Sequence, residues 1–331
     1  MKRQAVPARE HQRGTAPRRQ GLLVLPLLAI ITVVAATSVA SALDGGSPGA
    51  SPPRGGSPGS GSTAALPTAI PLRPGVSDLT IPSAALGRDM PAQVFVPRDL
   101  DSAATHPVLY LFHGRYGSER GWMGGSFGRA GVGVHDIAQA LIDEGRIPPL
   151  IIVSALINDS YGVDSPPTQE GYDHGPYERY ILDDLIPTVE SRFPISADPA
   201  DRAIGGLSMG GFAALHAAFR YPERFGGVAG LSPAVFEGML PDRQWLYPTA
   251  AARQEHDPLL LAESADIDHL RVFLGAGRAD YLWIIQATDV LADRLGNRGV
   301  RVTATNIRGS HDTPTWQRLA PQMLLALYGD E

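Results

Sequence analysis

Cysteine is absent from the 331-residue chain, and its only lysine is Lys2. Without thiols there is no disulfide, no thiolate zinc site and no cysteine nucleophile. Without a lysine beyond position 2, the bulk of the chain can neither form a Schiff base with pyridoxal phosphate nor use a Ser-Lys dyad. From residue 44 onward 22 arginines face 33 acidic residues, a net charge of −11. Such an acidic surface repels phosphate backbones, so nucleic acid is excluded as an expected partner. No Asp/His spacing suggests a metal and no Gly-rich loop suggests a nucleotide, so no cofactor and no metal ion is expected.

Charge of either sign is missing from Gly21 to Leu43, whereas Lys2, Arg3, Arg9, Arg13, Arg18 and Arg19 face only Glu10 in residues 1–20. A basic n-region over 1–20 followed by an apolar run over 21–43 predicts a signal peptide or membrane anchor. The run is long enough to cross a bilayer if retained, and Ala40-Ser41-Ala42 supplies a small-x-small cleavage pattern. The expected location is therefore outside the cytoplasm, either secreted or anchored at the outer face of the cytoplasmic membrane through residues 21–43. Residues 44–71 are rich in Gly, Ser and Pro and hold few large apolar side chains, which predicts a flexible linker. Residues 72–331 suit one domain, and no repeat or second linker interrupts them.

Within that domain, apolar strand runs alternate with helical spacing. Strands are expected at 91–96 (paired with 78–81), 107–112, 150–156, 202–207, 226–231, 271–274 and 300–307. Helices are expected at 136–144, 177–193, 212–220, 282–295 and 315–328. The pattern predicts an α/β class with a mostly parallel central sheet covered by helices on both faces. In such sheets the site lies at the carboxyl ends of the strands.

Four serines sit in G-x-S-x-G: Ser47, Ser57, Ser126 and Ser208. With 37 glycines in the chain the pattern alone is weak. Ser47 and Ser57 lie in the linker, and no strand precedes Ser126. Only Ser208 has an apolar strand before it and an apolar helix after it, which is how an α/β-hydrolase presents its nucleophile. Gly206 and Gly210 keep that turn tight.

A serine hydroxyl needs a base, and the base needs an orienting acid. In this fold they follow in the order Ser, acid, His. His216 lies eight residues along the elbow helix, about 12 Å away by helix rise. His256 falls in an expected polar loop, Gln-Glu-His-Asp-Pro, and His269 just before a strand, at its wrong end. His311 follows the last strand and is the expected base. Asp280 follows the strand 271–274 and an expected loop, Gly275-Ala-Gly-Arg-Ala279, and is the expected acid, in preference to Asp289 inside a helix and Asp312 beside the base. The oxyanion requires two backbone donors. One is the N–H of Met209; the other is the N–H of Arg115 or Tyr116, in the loop after His113-Gly114. His113 itself is expected to pack. Tyr161, Tyr172, Phe236, Trp245, Tyr247 and Trp283 surround the expected site, and sequence does not choose which of them line a pocket.

The segments Pro107–Gly114, Tyr177–Pro187, Gly205–Leu215, Tyr221–Phe225, Leu231–Ala234 and Gly309–His311 resemble, in order, those of the esterase-D-type esterases. That family includes tributyrin-type and feruloyl esterases and the mycolyltransferase antigens. The resemblance implies an α/β-hydrolase fold, a triad of Ser208, Asp280 and His311, and Arg115 as the second oxyanion donor. Thr313-Pro314 stands where relatives often carry Trp, and the short segment before Asp280 is closer to simple esterases than to mycolyltransferases.

Three functions follow as expectations. The first is an exported serine carboxylesterase acting on small-molecule, lipid or sugar acyl esters. The second is a cell-envelope acyltransferase that passes the same acyl group to a sugar hydroxyl. The third is a non-catalytic envelope-binding protein that keeps the fold.

Overall fold

A computed structural model describes residues 72–329, apart from 127–128, 168–169 and 239–240. The n-region, the apolar run and the linker expected over 1–71 lie outside the described residues. Strands β1 (Gly75–Ser83), β2 (Arg88–Val96), β3 (Val108–Phe112), β4 (Ile151–Ala155), β5 (Arg202–Leu207), β6 (Gly227–Leu231), β7 (Arg271–Gly277) and β8 (Arg301–Ile307) form one sheet. Its order is β1-β2-β4-β3-β5-β6-β7-β8. β2 runs antiparallel to both its neighbours, and every other pairing is parallel.

β3 to β6 are buried throughout. Because successive side chains on a strand point to opposite faces, one strand feeds two cores. Val108, Tyr110 and Phe112 join one core, and Leu109 and Leu111 join the other. The first core is covered by α2, built from Tyr177–Arg179, a π-helical turn Tyr180–Leu185 and Ile186–Glu190, and by α3 (Met209–Arg220). The second is covered by α1 (Val134–Asp143) and by a long C-terminal helix, Thr313–Tyr328. Helices thus lie on both faces, as a largely parallel buried sheet requires.

Three local differences from the sequence reading have physical causes. The stripe Ile181, Leu185, Val189 and Phe193 is buried as expected. The helix nevertheless widens at its centre, where the Ile186 N–H reaches back to the Ile181 carbonyl, just ahead of Pro187, which has no N–H to continue the ladder. β7 extends through Gly275 and Gly277, read from sequence as a loop, because they pair in register with Thr305 and Ile307 of β8. His256 ends a helix, α4 (Ala250–His256), capped by the Thr249 hydroxyl, rather than lying in a loop. The next helices are α5 (Pro258–Ser264) and α6 (Leu282–Asn297), and the C-terminal helix is α7.

Candidate active site

Ser208 is the single residue between β5 and α3, and its backbone sits at φ 53°, ψ −118°. An L-residue there is strained by about 1–3 kcal/mol, so the surroundings must hold it. They do so through the Ser208 N–H, which donates to the Leu231 carbonyl at 2.9 Å, and the Ser208 carbonyl, which accepts from Ala234 N–H at 2.9 Å and Phe212 N–H at 3.1 Å. The two glycines have no room for a side chain. A Cβ on Gly206 would collide with the Gly210 carbonyl, and one on Gly210 would collide with the Phe112 carbonyl at the end of β3.

The ends of β7 and β8 bring two more side chains to this edge. Beyond Gly277, the loop is fastened to the one after β8: Arg278 N–H donates to the Ile307 carbonyl and Ala279 N–H to the Gly309 carbonyl, both at 2.8 Å. Asp280 and His311 are thereby side by side. His311 Nδ1 lies 2.9 Å from Asp280 Oδ1, and His311 Nε2 lies 3.0 Å from Ser208 Oγ. A carboxylate at Nδ1 places the ring proton there, leaving the Nε2 lone pair to accept from the serine hydroxyl. Asp280 Oδ1 also accepts from Tyr281 N–H at 2.7 Å. Asp280 Oδ2 is buried without a hydrogen bond among the described residues, so the His311 ring is the carboxylate's one hydrogen-bonded side-chain partner there. Tyr281 and Trp316 flank the His311 ring at 5.2 Å each.

The loop after β3 closes the other side. Gly114 lies so near the nucleophile that a Cβ on it would be 3.3 Å from Ser208 Cβ. His113 is buried and fixes this loop: its Nδ1–H faces the Gly114 carbonyl at 2.8 Å, and its Nε2 accepts from Ile157 N–H at 3.1 Å. Burial pushes its pKa down to about 4, so the ring is neutral and packs, as expected from sequence. Tyr116 N–H donates to Asp159 Oδ1 at 2.7 Å, whereas the Arg115 N–H makes no backbone hydrogen bond among the described residues. Met209 opens α3, where a first-turn N–H has no intrahelical acceptor. The Met209 and Arg115 amides therefore remain available beside Ser208.

Other candidates fall elsewhere. Asp312 caps α7 through Thr315 and accepts from the Ser310 hydroxyl, whereas the His311 ring bonds Asp280. Asp289 bonds Asn306 on the surface, and His269 bonds the Pro222 carbonyl. His216 is buried against Glu178 and the His256 carbonyl. Glu178, His216 and His256 could present ligand atoms within 4.8 Å of one another. The Arg220 guanidinium already supplies the cation there, 3.6 Å from Glu178 and 3.1 Å from His256 Nδ1.

A cavity of about 850 Å³ opens over Ser208. Of the aromatics singled out from sequence, Tyr161 and Trp283 line it, and Tyr116, Tyr281 and Trp316 join them. Sequence reading missed Asp159, which lies in a turn with no pattern to mark it. A smaller cavity of about 540 Å³ lies at the amino ends of β6, β7 and β8, away from this edge.

The family model described as "Putative esterase" matches residues 83–327. The chain belongs to this family. As an esterase it is an enzyme acting on carboxylic esters. It is 35% identical over 159 residues to an endo-1,4-beta-xylanase/feruloyl esterase of Xylanibacter ruminicola, covering 46% of this chain but 20% of that longer protein. It is 25% identical over 254 residues to an acetyl esterase of Caldicellulosiruptor saccharolyticus, covering 71% of this chain and 87% of that one. The solved structure of a ferulic acid esterase matches with a TM-score of 0.62 at 23% identity, over 76% of this esterase and 96% of its own chain. That likeness is one of fold, and the architecture is the α/β-hydrolase fold.

Proposed function

We propose that this esterase is an exported serine carboxylesterase working through a Ser208-His311-Asp280 triad and a covalent acyl-enzyme. The observation that carries the reading is the unbroken hydrogen-bond chain from Asp280 through His311 to Ser208 Oγ, at 2.9 and 3.0 Å. His311 takes the Ser208 proton as Oγ attacks the ester carbonyl. The developing oxyanion is met by the N–H groups of Met209 and Arg115. Asp280 stabilises the imidazolium, which then protonates the departing alcohol. Water, activated by the same ring, releases the acid and restores Ser208.

The acyl groups in the names of the relatives, acetyl and feruloyl, support small acyl and aromatic acyl esters as the substrate class. Export is supported by the basic residues 1–20 and the uncharged run 21–43. The test is hydrolysis of acetyl and feruloyl esters by the purified protein, with and without added trehalose. Release of free acid that ignores trehalose, and that disappears in Ser208→Ala, is the expected result. Diversion of the acyl group onto the sugar would replace hydrolysis with acyl transfer. Equal turnover by Ser208→Ala would refute the serine mechanism.

A further inference from the structure

Among the described residues, the large apolar side chains left exposed include Tyr116, Tyr281 and Leu282. Tyr116 and Tyr281 line the Ser208 cavity, and Leu282 adjoins Tyr281 in the chain. Single exposed apolar residues are ordinary, but a group of them at the mouth of a cavity marks a surface that meets a ligand. The chemistry of the triad divides this cavity. The carbonyl oxygen of a bound ester faces the Met209 and Arg115 amides. The departing alcohol oxygen must lie within hydrogen-bond reach of His311 Nε2, because that ring protonates it. Whatever the alcohol carries therefore lies against the groups around His311. Those groups are rings. The centroids of Tyr281 and Trp316 are each 5.2 Å from that of His311. Trp283 lies near parallel to Tyr281, at 17° with centroids 6.3 Å apart, so the two present flat faces in a common orientation. All three line the cavity. Trp316 is fixed by its Nε1–H, which donates to Ser232 Oγ at 3.1 Å. Tyr281 is fixed by its backbone N–H on Asp280 Oδ1, yet the residue is 58% exposed.

An open wall of aromatic rings gains a large contact area from a flat ring and little from a short chain. We infer that Tyr281, Trp283 and Trp316 form the alcohol subsite of this esterase, and that it selects esters whose alcohol carries a ring with an apolar face. Esters of short unbranched alcohols are the disfavoured class. This inference rests on the serine esterase reading, in which His311 protonates the alcohol, and deepens it. The words acetyl and feruloyl in the names of the relatives describe the acyl half of a substrate; the ring wall describes the other half. An aryl group and a sugar ring share the flat apolar face that such a wall recognises, and the test separates the two.

The experiment compares kcat/KM for three acetates of primary alcohols: ethyl acetate, benzyl acetate and methyl 6-O-acetyl-glucopyranoside. All three pass through the same acetyl-enzyme, so differences among them belong to the alcohol half. At least one ring ester is expected to exceed ethyl acetate by about 3- to 10-fold, the scale of one contact between rings. An excess for benzyl acetate alone assigns an aryl alcohol, and an excess that extends to the glucoside assigns a sugar-type ring as well. The preference should reside mainly in KM. In Tyr281→Ala the ring-to-ethyl ratio should fall toward one, and Tyr281→Phe should keep it. The ratio of ethyl phenylacetate to ethyl acetate, which places the ring on the acyl half, should not change in Tyr281→Ala. The preference is read on the unsubstituted protein, so equal kcat/KM for the three acetates overturns the inference even if a variant fails to fold. A ring preference undiminished in Tyr281→Ala, or an equal loss for ethyl phenylacetate, would also overturn it while leaving the esterase reading intact. Failure to cleave any of the four esters, or cleavage undiminished in Ser208→Ala, would overturn both.

Discussion

The Tyr116 amide donates to the Asp159 carboxylate at 2.7 Å, across 43 residues of sequence. Position in the loop offered Arg115 or Tyr116 as the second oxyanion donor, and the family resemblance implied Arg115. The Asp159 contact commits the Tyr116 N–H elsewhere and leaves that of Arg115. Asp159 also faces the Arg115 guanidinium at 3.8 Å, so one carboxylate positions both residues. Asp159→Ala should lower kcat about tenfold or more with little change in KM, because misplacing a donor chiefly harms the transition state. Asp159→Asn keeps an acceptor and should recover most of the loss. Steady-state kinetics on a soluble acetyl ester checks both.

Asp280 is expected to act by fixing the His311 tautomer. Asp280→Asn preserves shape but can present an N–H to Nδ1, favouring the wrong tautomer. It should cut kcat by about 10⁴-fold, as an equivalent change does in serine proteases. The thermal midpoint should move little by comparison. A loss of activity matched by a loss of folded protein would assign Asp280 a structural role instead.

The glycines give opposite predictions in one kind of experiment. Gly210→Ala drives a Cβ into the carbonyls of Phe112 and His113, backbone atoms with nowhere to go. It should cost about 2 kcal/mol or more and abolish esterase turnover. Gly296, in the last turn of α6, has open space around it, with nothing within 4 Å of where a Cβ would sit. Gly296→Ala should stabilise by about 0.5–1 kcal/mol, raising the thermal midpoint by about 1–4 °C with activity unchanged. Calorimetry on the two variants distinguishes them.

Acid should weaken the fold in two stages. Burial pushes the His113 ring down to about 4, and burial together with His216 and Arg220 does the same to His256. Both are neutral when folded and charge more readily when unfolded. Their contribution is whole above the ordinary value of 6.5 and is lost as pH falls from there toward 4. Burial raises the Glu178 carboxyl, but its hydrogen bonds and charges from His216, Tyr221 and Arg220 outweigh that and hold it at about 2. Its contribution is whole above the ordinary 4.5 and is lost as pH falls toward 2. Thermal midpoints measured from about pH 7.5 to 3 should decline across both windows. Glu178→Gln should start lower at neutral pH and lose less in the more acidic window.

What sequence made legible was whatever local pattern enforces. β5, the elbow glycines and α3 are written contiguously, because one strand–turn–helix must satisfy its own sterics. The positions of Asp280 and His311 followed from topology, since both residues come just after parallel strands and so meet at one edge. Sequence misread Gly275 and Gly277 as loop because glycine disfavours strands in isolation. In β7 they are paired to β8, and a Cβ on Gly277 would collide with the Gly309 carbonyl. Asp159 was invisible for a different reason. Its contacts exist only through Arg115 and Tyr116, neighbours distant in the chain.

The most direct test of the central claim is to trap the acyl-enzyme analogue. The protein is treated with a fluorophosphonate, its intact mass is measured, and the adduct is mapped by peptide sequencing. One adduct per chain, on Ser208, blocked by prior incubation with ester substrate and absent in Ser208→Ala, is the expected result. An adduct on another serine, or none while esters are still turned over, would contradict Ser208 as the nucleophile.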